Sequence, residues 1–185
     1  MEGGKAIDAH GSIPGHSVQQ SDAQQAYTQT TLKGNIKIWV RLPRDQWPQA
    51  WIDAGLIDPV CPLTRALYGH PESGGWWEQF AEKTVLKAGF LAIPEWRSVF
   101  IHPKLQLILT IYVDDFLLAG PKQNLAIGWK AIQVAGVELD PPTPLGKYLG
   151  CNLQFKLGTL KAALDAMGTI LACIQRSIDN GTPVD

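Results

Sequence analysis

Residues 105–120 read Leu-Gln-Leu-Ile-Leu-Thr-Ile-Tyr-Val-Asp-Asp-Phe-Leu-Leu-Ala-Gly, and no other stretch of the chain restricts its fold as tightly. Two β-prone apolar runs flank two adjacent carboxylates, Asp114 and Asp115, and Gly120-Pro121 closes the second run. The pattern predicts a hairpin whose tight turn carries both aspartates. Asp is a good turn residue, so the plain alternative is two ordinary turn aspartates. At the tip of a buried hairpin, however, like charges repel, and taking ions out of water is costly unless they are paired. A divalent cation is the natural partner, and Mg²⁺ binds through one or two carboxylates plus substrate phosphates. The Asp-Thr-Gly or Asp-Ser-Gly signature of aspartic proteases is absent, and no EF-hand spacing follows Asp114.

The same runs are too short to span a bilayer. Thr110 and then Asp114-Asp115 interrupt them, well below the ~20 apolar residues that a span requires. A length of 185 residues predicts one domain, and 45% hydrophobic residues supply its core, which excludes a disordered chain. The first 25 residues are rich in Gly, Ser and Gln without an apolar block, so no secretory signal is expected. Cys61, Cys151 and Cys173 are odd in number and lack Cys-x-x-Cys spacing, which argues against a disulfide scaffold or zinc ribbon and for a reducing, intracellular setting. A net charge of −1 announces no nucleic-acid partner.

Along the chain, residues 1–20 read as a flexible leader, 21–155 carry clear patterning, and 156–185 form a helical tail. Ile36–Leu42 alternates as a half-buried strand, and Pro43, Pro48, Pro59 and Pro62 punctuate the loop-rich stretch after it. Trp77, Phe80, Ala81, Thr84 and Ala88 recur at helical spacing after Gly74-Gly75, with Gly89 as the stop. A second helix is predicted from Asn124, as N-cap, to about Gly136, with Leu125, Trp129 and Ile132 inward. A third apolar stripe comprises Leu160, Leu164, Met167, Leu171, Ile174 and Ile178. The mixture is α+β rather than regular βαβ alternation. His10, His16, His70 and His102 have no metal-ligand spacing and read as surface or loop residues. Trp39, Trp47, Trp51, Trp76 and Trp96 offer rings for stacking on bases, with core or interface packing as the more ordinary role.

Tyr112-Val113-Asp114-Asp115 resembles the tetrapeptide of reverse transcriptases, and its surroundings resemble the copia-type branch of LTR retrotransposons. Ser21-Asp22-Ala23-Gln24-Gln25-Ala26-Tyr27 resembles the palm strand that brings a third aspartate, followed five residues later by an aromatic. Arg65-Ala66-Leu67-Tyr68-Gly69 resembles the family's Ala-Leu-Tyr-Gly segment leading into a helix with a Trp, here Trp77. Gly89-Phe90 and the strand after it match in spacing, and Gly146-Lys147-Tyr148-Leu149-Gly150 resembles the primer-grip hairpin. These five matches stand in the family's order.

The resemblance implies a right-hand polymerase palm with part of the fingers, an antiparallel sheet backed by helices near 75–88 and 124–135. It implies RNA-directed DNA polymerisation by a two-metal mechanism, with Asp22, Asp114 and Asp115 as catalytic metal ligands for Mg²⁺ or Mn²⁺. Tyr27, with Ala26 before it, takes the place of the aromatic that excludes a 2′-hydroxyl, and Glu72 stands where a side chain helps hold the incoming nucleotide. Leu149 and Gly150 belong to the primer grip. The implied partners are an RNA or DNA template with its primer, dNTPs, and the remaining Pol segments (fingers, thumb, RNase H, integrase), without a membrane, in a cytoplasmic particle or the nucleus. Three features depart from the pattern. Glu72 replaces a Gln that most relatives carry, Lys5 is the only Lys or Arg before Lys33, and the chain after Phe155 does not resemble the continuation toward the thumb. They keep an inactive remnant that at most binds nucleic acid open as the alternative.

Overall fold

The computed structural model describes residues 2–32, 37–148 and 151–152. In chain order these form α1 (Glu2–Gly11), β1 (His16–Asp22), a 3₁₀ turn (Ala26–Gln29), β2 (Trp39–Arg41), a second 3₁₀ turn (Arg44–Gln46), α2 (Gln49–Asp53) and β3 (Val60–Pro62). Next come α3 (Ser73–Lys87), β4 (Leu91–Ala92), β5 (Val99–His102), β6 (Leu107–Tyr112), β7 (Asp115–Pro121) and α4 (Lys122–Ala135). Short strands β8 (Thr143–Pro144), β9 (Lys147–Tyr148) and β10 (Cys151–Asn152) complete the set.

The centre is a six-stranded sheet in the order β4-β5-β6-β7-β1-β8, antiparallel at every pairing. The chain is therefore α+β, as expected. Both faces of the sheet are covered. Leu107, Leu109, Ile111, Phe116 and Leu118 pack with Trp77, Ala81 and Val85 of α3 and Leu125, Trp129 and Ile132 of α4. Ile108, Leu117 and Ala119, which alternate with them, pack with Ala6 and Ile7 of α1. Burial on both faces explains why β6 and β7 read as continuous apolar runs rather than as an alternation.

Helix α1 corrects the expectation of a flexible leader. It packs against β1, β6 and β7, and Ala6 and Ile7 are fully buried. Its signal was hidden by glycines, one of which lets it approach closely: a Cβ on Gly3 would lie 2.8 Å from Val99 Cγ2. Strand β1 was hidden too, because His-Ser-Val-Gln-Gln-Ser-Asp has no apolar alternation. Tertiary hydrogen bonds take its polar side chains instead. Trp129 Nε1–H donates to Gln19 Oε1 (2.9 Å), Ser21 Oγ–H donates to Asp140 O (2.7 Å), and the Gly146 N–H donates to Gln20 Oε1 (3.2 Å).

The two predicted helices are present. Helix α3 stops at Gly89, whose φ of +93° is glycine's own territory. Helix α4 starts at Lys122 rather than after an Asn124 cap, and Asn124 Nδ2–H donates to Leu105 O (2.8 Å), tying the helix to the β5–β6 turn. The expected strand 36–42 shrinks to β2, an exposed ribbon partner of β3, with Ile36 outside the described residues. Of the seven tryptophans only Trp77 and Trp129 are buried; Trp39 is 54% exposed and the others are half-buried. Leu149, Gly150 and the apolar stripe at 160–178 lie outside the described residues.

Candidate active site

The three aspartates come from two segments far apart in the chain and meet at one end of the sheet. Strand β1 runs antiparallel to β7 with Asp22 directly opposite Asp115. In the β6–β7 hairpin the last pair is Tyr112 with Asp115, so the turn holds two residues, Val113 and Asp114. The expected hairpin therefore exists, but Asp115 is the first residue of β7 rather than part of the turn. That offset aims it at Asp22. The Ala23 N–H donates to Asp114 O (2.7 Å), which fastens the end of β1 to the turn.

The turn is held from beneath. Val113 adopts φ +55°, a region that a β-branched residue rarely enters. Its carbonyl accepts the Trp77 indole N–H at 2.5 Å. Trp77 is itself buried and meets Phe116 edge-on at 6.5 Å. Helix α3 thus fixes the height of the acidic turn through one side chain.

Asp22 and Asp114 are exposed and Asp115 is half-buried. Partial burial first, then the charges of Asp22 and Asp114 and a hydrogen bond with Asp22, push the pKa of the Asp115 carboxyl up to about 6. Asp22 and Asp115 form a hard oxygen pair with a shortage of positive charge. That is the donor set a Mg²⁺ or Mn²⁺ ion takes, since Mg²⁺ needs only one or two protein carboxylates besides water and phosphate. Among the described residues no group of three or more His, Cys, Asp or Glu side chains is gathered into a full metal cage. Asp22 and Asp115 are the close pair, and Asp114 adds charge from the turn.

Tyr27 follows β1 in the 3₁₀ turn. It is half-buried and lines a cavity of about 180 Å³ with Gly74, Trp77, Ser98, Tyr112 and Val113, beside the acidic turn. Ala26 is fully buried in the core, backbone included, so it supports Tyr27 from within rather than facing a ligand. Glu72 precedes α3 at its exposed N-terminus; its N–H donates to His70 Nδ1 (3.2 Å), and it does not line this cavity. A larger cavity of about 580 Å³ adjoins it between α3 and the β4–β5 connection. There Arg97 donates two hydrogen bonds to Glu78, each 2.6 Å, and holds its carboxyl below the usual range.

Two features escaped the sequence. Trp77 belongs to the apolar repeat of its helix, but its grip on the turn has no local signature. Tyr68, whose ring lies against Tyr27 with centroids 4.5 Å apart, carries no sequence signal beyond its motif.

Comparison with known proteins gives the same direction as the geometry. A family profile described as reverse transcriptase (RNA-dependent DNA polymerase) matches residues 5–176, so it includes α1 and extends beyond Phe155. A curated relative, the retrovirus-related Pol polyprotein from transposon RE1 of Arabidopsis thaliana, is 27% identical over 110 residues. That alignment covers 58% of this chain and 7% of the polyprotein.

Proposed function

The chain belongs to the reverse transcriptase (RNA-dependent DNA polymerase) family, and from that premise we propose that it is the palm, with part of the fingers, of a copia-type retrotransposon polymerase. In this reading it extends a primer by attack of the 3′-hydroxyl on the α-phosphorus of a dNTP, with pyrophosphate leaving. The observation that carries the proposal is the Asp22–Asp115 register, with Asp114 on the adjoining turn. Asp22 and Asp115 would hold Mg²⁺, or Mn²⁺ in its place, and Asp114 would add to the negative field. A bound cation supplies the positive charge that favours the 3′-alkoxide and the departing pyrophosphate. Tyr27 forms the floor under the sugar, where a ring leaves no room for a 2′-hydroxyl. The template, the primer and the remaining Pol segments are partners in the same proposal.

Two experiments test it. Mg²⁺ or Mn²⁺ should raise the melting temperature of the wild type, because a ligand that binds only the folded state stabilises it by mass action. Asp115→Asn should lose that rise, and an equal response in both proteins would sink the metal site. Primer extension on poly(rA)/oligo(dT), with and without Mg²⁺, tests the chemistry. An inert remnant is the second reading, favoured by the balance of 16 basic against 17 acidic residues. It predicts no cation-linked stabilisation at all.

A further inference from the structure

We propose that Tyr68 is a positioning residue for sugar selection: its ring holds the plane of Tyr27, and the sharpness of discrimination against a 2′-hydroxyl depends on that plane. The inference rests on the proposed role of Tyr27 as the floor under the nucleotide sugar. The two rings lie 4.5 Å apart and tilted by 35°, close enough for a direct aromatic contact. At its hydroxyl end, Tyr27 comes close to the first turn of α3. A Cβ on Gly74 would stand 3.8 Å from the Tyr27 hydroxyl. Tyr27 thus touches a second aromatic ring in a tilted contact and neighbours a helix turn at its hydroxyl.

Tyr68 can act as a wall because its own segment is anchored at both ends. The Ala66 N–H donates to Thr30 O (3.0 Å), Thr31 and Arg65 form an isolated β-bridge, and Arg65 Nη1–H donates to Gln29 O (3.0 Å). These contacts tie the segment to the 3₁₀ turn that carries Tyr27. From the other direction, Ser73 Oγ–H donates to Leu67 O (2.8 Å) and accepts the Leu67 N–H (3.2 Å), tying it to the start of α3. Tyr68 is 53% exposed, so burial of its own ring does not explain why the chain presents an aromatic there. Steric exclusion discriminates only if the excluding group cannot swing aside. A ring bounded only at its hydroxyl end would yield.

The test uses the full 185-residue chain with a primer–template at low salt, where phosphate contacts are strongest. Affinities for dATP and ATP in Mg²⁺ are measured for the wild type, Tyr68→Leu, Tyr68→Phe and Tyr27→Val. Tyr68→Leu should reduce the preference for dATP by roughly two- to tenfold, the range expected from losing one aromatic pair, mainly by admitting ATP. Tyr68→Phe should keep the wild-type preference, a rescue that loss of general stability would not show. In parallel, the ¹⁹F resonance of Tyr27 in 3-fluorotyrosine-labelled protein should sharpen toward a mobile ring in Tyr68→Leu and stay as in the wild type in Tyr68→Phe. If Tyr27→Val abolishes the preference while Tyr68→Leu leaves it intact, the proposal is overturned and the role of Tyr27 stands. If Tyr27→Val leaves the preference unchanged, or the wild type has none, the role of Tyr27 fails and the proposal fails with it.

Discussion

Val113 sits at φ +55° between two carboxylate-bearing positions and a tyrosine, a conformation that costs a β-branched residue of order 1–3 kcal/mol. Asn tolerates this region, because its short polar side chain bonds locally. Val113→Asn should therefore raise stability by about 1 kcal/mol in urea unfolding, and a loss would show that the turn does not strain Val113. Asp115 makes a second prediction, from charge. Its folded-state pKa of about 6 lies above the ordinary 3.8, so between those values the folded protein binds more protons than the unfolded one. Its contribution is fully present below pH 3.8 and is lost as the pH rises through about 6. In chelator, the melting temperature of Asp115→Asn minus that of wild type should grow from about pH 4 to about pH 7. A difference that stays flat over that range contradicts the burial and repulsion assigned to the site.

At the scale of elements, α1 and β1 carry more of the fold than their composition suggests. Ile7 is fully buried against the sheet face opposite α3 and α4. Ile7→Ala should cost ~2–5 kcal/mol in denaturant unfolding, the usual loss for a large-to-small change in a packed core. A change near zero would return residues 2–11 to the status of a leader. Strand β1 depends on polar bonds, above all the Trp129 indole on Gln19. Gln19→Leu should cost ~1–3 kcal/mol by leaving that buried N–H without an acceptor, whereas a neutral result would show that water replaces it.

For the whole molecule, the limiting property is charge. Nucleic-acid affinity comes largely from Lys and Arg displacing counterions on phosphates, and this chain has 16 basic residues against 17 acidic ones. The only ion pairs among the described residues, Arg41–Asp58 and Arg97–Glu78, engage two of those bases. The isolated chain should bind a primer–template weakly and lose that binding between roughly 50 and 200 mM salt. Positioning a primer end and a triphosphate requires groups beyond the carboxylates, so extension should be poor even where metal binds. Tight binding by fluorescence anisotropy at physiological salt, together with processive Mg²⁺-dependent synthesis, would contradict this.

Local pattern was enough for the hairpin, for α3 and α4, and for the adjacency of Asp114 and Asp115, because periodicity and turn chemistry act over a few residues. The motif series was enough for the family. It also singled out Asp22, which the polar run around it would never have marked. Only the tertiary structure decided that Asp22 faces Asp115, since that register depends on β1 entering the sheet beside β7, far along the chain. Only it turned a glycine-containing leader into a packed helix, because the apolar partner surface for Ala6 and Ile7 lies on the sheet strands. The clamp of Trp77 on Val113 and the pairing of Tyr27 with Tyr68 belong to the same class. Each joins residues whose local sequences are independent of one another, so no pattern within either segment could encode the contact.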